Sequence, residues 1–234
     1  RLRVYFQPVT EGDNKGEYRG VANGMPNPQQ DDYKAMSAPN VQEKSTDSPL
    51  RWMMASEVAF LRAEGAMRGW TAEMGGTAEE FYNKGIELSF LENGLSADAA
   101  ARHAADETSK PTDFTDVSAA NTKYNISALG KITIKWNAGA SEEEQLERII
   151  TQKWIAMFPN GTEAWSEFRR TGYPLIFPVR SNYPTSGVDT NKQIRRMVFP
   201  QSEYSNNGAA VQEAVKLLGG PDNGGTKLWW DKKN

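Results

Sequence analysis

The chain has 234 residues, enough for one or two domains with a sizeable core, and a formal net charge of −3. That mildly acidic balance excludes a nucleic-acid binder that relies on counterion release, and a mean hydropathy of −0.67 without a long apolar run excludes a transmembrane helix. Cysteine is absent, which excludes disulfides, thiolate nucleophiles and Cys-ligated metals.

The chain opens at Arg1 and not at Met, and no signal peptide is visible, so it reads as trimmed or as a piece of a longer protein. Residues 1–48 read as irregular. The alternation in Leu2-Arg-Val-Tyr-Phe6 predicts a short strand, and Gly12, Gly16, Gly20, Gly24, Pro26 and Pro28 punctuate the chain beyond it. So long a structureless stretch is expected to wrap a helical body or to line a site.

Residues 49–110 read as a helix pair plus a third helix. Met54, Val58, Leu61 and Ala66 form one face of the first helix, which ends near Gly69-Trp70. Thr77 and Glu80 form a capping box for the second, which carries Phe81, Tyr82, Ile86, Phe90 and Leu91 and stops at Asn93-Gly94. The pair has about the length of a tetratricopeptide unit (~34 residues). Ser96 caps a third helix running to about Thr108. Residues 111–140 form a connector in which Lys131–Trp136 is either strand or extended chain.

Residues 141–172 hold the clearest helical pattern. Ser141 and Glu144 read as a capping box, and Leu146, Ile149, Ile150, Trp154 and Met157 fall on one face. Pro159-Asn160-Gly161 breaks the helix, Thr162 is placed to cap the next one, Trp165 and Phe168 continue the apolar face, and Gly172 stops it before Pro174. Residues 173–234 read as an extended segment with a candidate strand at Arg195–Phe199. A last helix capped by Asn206 or Asn207 comes next, with Val211, Ala214, Val215 and Leu218 on one face. The tail Thr226–Asp231 is too aromatic to stand free.

Catalytic signatures are missing: there is no phosphate loop, no nucleophile elbow and no metal-ligand cluster. The one histidine, His103, lies on an amphipathic helix and reads as a helix-face residue, since it cannot form a His-based metal site alone. Carboxylates such as Asp31-Asp32 or Glu142–Glu144 could be paired for glycoside hydrolysis at about 5–9 Å. The latter set is better explained by the dipole at a helix N-terminus. Glu57 and Glu64 are candidates to pair with Arg62, Arg68 or the Arg169-Arg170 pair. Those two arginines could grip an anion, or could pack and satisfy carbonyls at the helix end, as their position favours. Trp154, Trp165, Phe168, Phe81 and Phe90 read as core by their spacing. Tyr18, Tyr33, Phe114, Tyr124 and Tyr183 lie in polar loops, where a ring either pins its loop or offers a flat face to the C–H face of a sugar.

Several blocks, in order, resemble the SusD/RagB family of outer-membrane nutrient-binding lipoproteins. They are Leu2-Arg-Val-Tyr-Phe-Gln-Pro8 with Tyr18-Arg-Gly20, then Ser56-Glu-Val-Ala-Phe-Leu-Arg-Ala-Glu64 with Arg68-Gly-Trp70, and Phe81–Ile86. The stretch from Ile150 to Pro174 comes next, then Arg195–Asn206 and Lys227-Leu-Trp-Trp-Asp231. The resemblance implies an all-α fold of tetratricopeptide-like helix pairs with long irregular loops and at most minor β structure. It also implies a non-enzymatic role, without cofactor, in which a lipid-anchored surface protein binds oligo- or polysaccharide. The anchor would be an N-terminal lipid absent from this chain, and the cargo would pass to a SusC-like TonB-dependent transporter. RagB-like relatives bind peptides, which is the alternative reading; a helical-repeat adaptor and, remotely, a glycoside hydrolase stand behind it. Residues 1–234 would be the C-terminal part of one such domain. Because the matching blocks are mostly scaffold, ligand contacts are placed only at Tyr18 and Tyr33, in the irregular stretch where the family's site-forming loops lie.

Overall fold

The structure, a computed structural model, describes residues 1–25, 33–34, 36–40, 52–182 and 186–232. Its helices are α1 (Leu2–Tyr5), α2 (Ala55–Met67), α3 (Thr71–Met74), α4 (Ala78–Leu91), α5 (Ala97–Ala104), α6 (Glu142–Ala156), α7 (Gly161–Thr171) and α8 (Gln201–Leu218). Among the described residues β structure is confined to two isolated bridges, Phe6 with Pro39 and Phe114 with Ile126. The fold is thus helical, as the sequence implies.

The core lies where α2, α4 and α6 meet. Phe60 of α2, Tyr82 and Ile86 of α4, and Ile149 and Ile150 of α6 are all but inaccessible, and Ala100 of α5 closes one side. Gly85 sets the approach of α4 to α2: a Cβ there would stand 2.7 Å from the Phe60 ring. The face of α2 that turns inward is Ser56, Ala59, Phe60, Ala63 and Ala66, whereas Val58 and Leu61 are exposed. The inward face therefore differs from the expected one. This helix is apolar on most sides, so apolar spacing alone does not select one, and the small residues win because they let α4 approach.

Capping follows the sequence in part. Thr77 and Glu80 form the full box, with Thr77 N–H donating to Glu80 at 2.7 Å. Ser141 accepts from Glu144 N–H at 3.3 Å, but the Glu144 carboxylate turns to Arg148 at 2.7 Å and leaves its half of the box unmade. Asn160, not Thr162, caps α7, because the turn after Pro159 brings its Oδ1 to Glu163 N–H at 3.3 Å. Gly172 ends α7 with φ of 79°, a left-handed position that suits glycine. α8 starts at Gln201, before the expected caps, with a kink at Asn207, φ −143°. Pro200 supplies a preset entry and Glu203 an acidic first turn.

The strands expected at Leu2–Phe6 and Arg195–Phe199 are absent, and of the two readings of Lys131–Trp136 the extended chain holds. Leu2–Tyr5 is one helical turn, held by Tyr5 N–H to Arg1 O at 3.1 Å. It coils because the Arg1 side chain is drawn into the body, donating to Ser89 Oγ at 3.2 Å and to Gln152, with His103 Nε2 at 3.0 Å. Lys131–Trp136 is an extended strap: Tyr82 donates to Ile134 O at 2.5 Å, Arg148 Nε to Lys135 O at 3.1 Å, and Trp136 packs on Tyr82. Arg195–Phe199 is likewise irregular, its carbonyls and amides met by α7 and the tail. The tail packs through Trp230 and Asp231, while Trp229 stays 83% exposed. Asp231 takes Arg195 in a buried bidentate pair at 2.7 Å, and Arg169 lies over both Trp165 and Trp230.

Candidate functional site

The irregular N-terminal segment is tied down at defined points. Val9 is buried and closes a loop with Glu17 O at 2.8 Å and Gly16 N–H at 2.9 Å. Arg19 and Ser37 exchange bonds, N–H to Oγ at 3.0 Å and N–H to O at 2.9 Å. Tyr5 and Phe6 pack on Phe158 at the end of α6, with centroids 4.7 and 5.1 Å apart. Tyr18 and Tyr33 are both half-buried, Tyr33 at a helical position.

Tyr33 reaches across to the connector. Its hydroxyl donates to Asp116 Oδ1 at 2.9 Å and accepts from Asn121 Nδ2 at 2.8 Å. Asp116 is buried, and Ser118 N–H also donates to Oδ1, at 2.9 Å. So the Tyr33 hydroxyl ties this segment to the connector. Asp31-Asp32 and Tyr183 lie outside the described residues, and Tyr124 is buried beneath Lys123.

The same connector also walls a cleft of about 290 Å³. Phe114 and Ile126, paired through backbone bonds of 2.8 and 3.0 Å, form one wall. Ile176, Phe177 and Pro178 form another, with Phe177 edge-on to Phe114 at 6.2 Å. Trp154 of α6 lines it while remaining 41% exposed. The polar members are Asn23, Arg180 and Gln193. Arg180 is held by Lys123 O, and its backbone N–H donates to Asn23 O at 2.9 Å. Gln193 adopts φ of 57°, unusual for a non-glycine residue, after a turn in which Asp189 Oδ1 accepts from the amides of Asn191 and Lys192. Those amide bonds hold the Asp189 carboxyl below its ordinary pKa. The turn aims Gln193 Nε2 at Phe177 O, 3.0 Å away, and leaves its Oε1 as an acceptor.

Gly24 makes the cleft rim fit. With φ of 74°, a Cβ there would collide with Val179 Cγ1 and stand 2.9 Å from Ser181 O, so only glycine lets residues 22–25 lie against 179–181.

The spacing of α6 predicts Trp154 in the core, and the structure places it at the cleft. Lys153 is the residue fully buried on the stripe with Ile149 and Ile150; Trp154 stands about 100° further round the helix. The signal was present. Lys153 pairs with Glu163 at 3.2 Å and Glu167 at 3.6 Å, acidic residues four apart on α7, so charge pairing selected the inward register. His103 is a half-buried helix residue turned to Arg1. Burial first, then the Arg1 charge, pushes it down to about 4.

The sequence matches the SusD-like family, described as SusD and RagB outer membrane lipoproteins, over residues 1–231. The chain belongs to the SusD-like family. Solved structures agree. A chitin-binding SusD homologue from Flavobacterium johnsoniae is 42% identical with a TM-score of 0.88, over 98% of this chain and 46% of that one. A SusD-like protein from Bacteroides thetaiotaomicron is 43% identical with a TM-score of 0.88, over 100% and 48%. A SusD homologue from Bacteroides uniformis is 44% identical with a TM-score of 0.84, over 99% and 46%. No curated protein matches. The chain thus spans about half the length of the solved SusD-like structures it resembles.

Proposed function

We propose that this SusD-like chain is part of a cell-surface protein that binds oligo- or polysaccharide without chemistry and hands it to a SusC-like TonB-dependent transporter. The observation that carries the reading is the 42% identity, at a TM-score of 0.88, to a chitin-binding SusD homologue. The family description supports an outer-membrane site reached through a lipid anchor, and no helix among the described residues is long and apolar enough to cross a membrane. The aromatic cleft beside a pinned loop suits a sugar, which needs flat apolar faces and a few placed polar groups. Tyr18 and Tyr33, which do not line the cleft, would add ligand contacts from the N-terminal segment.

A non-enzymatic role is supported by His103, whose ring is committed to Arg1 inside the helical body. The test is affinity electrophoresis of the full-length protein through gels containing different polysaccharides, with a peptide digest as competitor. Retardation in a polysaccharide gel is expected. Migration unchanged in every gel, with saturable peptide binding, would replace this reading by the RagB-like one.

A further inference from the structure

The cleft between Trp154, the Phe114–Ile126 wall and Phe177 is lined unevenly. Most of it is hydrocarbon: Val21, Ile126, Ile176 and Pro178 stand with the three aromatic rings. At about 290 Å³ it is at the small end of ligand sites and holds roughly one sugar ring. A simple hexose carries hydroxyls around its whole rim, and pressing them on this lining would leave buried donors and acceptors unpaired, which is costly. A sugar with an acetamido group at C2 presents a methyl group to the hydrocarbon and an amide to the few polar atoms.

Those atoms are placed for an amide. Gln193 Oε1 is left as an acceptor because Nε2 is engaged by Phe177 O at 3.0 Å, and it would accept the acetamido N–H. Asn23 stands exposed at the rim with its backbone carbonyl fixed by Arg180 N–H, so its Nδ2 can donate to an acetamido oxygen. Gln193 is held at φ of 57°, a costly backbone state for a residue with a side chain, and that state is what directs its amide to the cleft wall. Trp154 is partly exposed at the opening, where a ring face can stack on the sugar.

We propose that this cleft is a subsite for an N-acetylated hexosamine, with Trp154 as the stacking platform and Gln193 and Asn23 as the amide-reading pair. The proposal rests on the glycan-binding reading above and names the sugar class for it.

The test is calorimetry of the full-length protein with three hexasaccharides that share a β-1,4 glucose-type backbone and differ only at C2: chitohexaose, fully deacetylated chitosan hexamer and cellohexaose. The two acetamido hydrogen bonds and a buried methyl predict that chitohexaose binds about tenfold or more tighter than either of the others. Trp154→Ala should remove most of the binding, Trp154→Phe should restore much of it, and Asn23→Ala should reduce the preference for the N-acetylated ligand several-fold. Thermal melts of each variant establish that it is folded. Equal affinity for the three hexamers would overturn the subsite, as would a folded Trp154→Ala protein that keeps the full preference; both outcomes leave glycan binding standing. Failure to bind any of the three or any polysaccharide, with binding to peptides, would instead remove the reading on which the subsite rests.

Discussion

Arg170 of α7 grips Glu64 of α2 with both Nη atoms, at 2.7 Å to Oε1 and 2.6 Å to Oε2, bridging residues 106 positions apart in the chain. Arg170 also holds Glu167 at 2.7 Å, and Arg68 holds Glu64 at 2.7 Å. This network fixes α7 on α2. Burial alone would push the Glu64 carboxyl up, but Arg170 and Arg68 outweigh it and hold the group below its ordinary value. Glu64→Gln should therefore lower stability by about 2 kcal/mol, less than for a fully buried pair because Arg170 is partly exposed, read as a shift in urea midpoint. Its pH signature has a fixed sign. Because the folded value is depressed, the contribution is present above the ordinary Glu range and is lost as pH falls through the folded value.

His103 adds a second acid-sensitive element at higher pH. Its folded value is about 4 against an ordinary 6.5, owing to burial and then to Arg1. The unfolded chain takes the proton first, so the contribution is complete above pH 6.5 and is lost between 6.5 and about 4. Urea unfolding at stepped pH should show a loss on the order of 1–2 kcal/mol across that window, allowing for solvent screening, and His103→Gln should flatten it.

Gly85→Ala tests the packing of the two central helices. The added methyl would collide with the Phe60 ring at 2.7 Å, inside the dense core. A destabilisation of about 1–3 kcal/mol by thermal or chemical unfolding is expected.

Gly24→Ala tests the cleft rim separately. The change meets both a left-handed φ and the side chain of Val179, so residues 22–25 must lift from 179–181. Ligand affinity should fall several-fold, while the melting of the α2–α4–α6 core changes little; the penalty is about 1–3 kcal/mol and falls on the loop.

The sequence made the helical scaffold legible, and for identifiable reasons. Thr77 with Glu80, Ser96, Ser141 and Gly172 are local signals, and each stands at the helix end it marks. Facing was less legible. On α2 apolar residues occur all round, so Val58 and Leu61 suggest a face that the small residues Ala59 and Ala63 take instead. On α6 the buried position went to Lys153 because Glu163 and Glu167 neutralise it, and Trp154 was displaced to the cleft. The cleft itself could not be read, since it joins residues near 23, 114, 154, 177 and 193 through long-range contacts that carry no periodic pattern. The polar surroundings of Tyr33 suggest a loop, but it stands at a helical position, and its hydroxyl partners, Asp116 and Asn121, are more than 80 positions away.

Tyr33 also separates anchoring from recognition. Tyr33→Phe removes the bonds to Asp116 and Asn121 but keeps the ring; Tyr33→Ala removes both. If the ring meets ligand, the Ala variant should lose about tenfold in affinity and the Phe variant only a few-fold, measured by calorimetry with a retarding polysaccharide.

The central claim is binding without chemistry. The most direct measurement titrates the full-length protein with a soluble polysaccharide in a calorimeter, then sizes the polysaccharide by chromatography after prolonged incubation. Saturable binding with the chain-length distribution unchanged is the expected result. Shortened chains, with the shortening lost on a single Glu→Gln change, would contradict the account and make the protein a glycoside hydrolase.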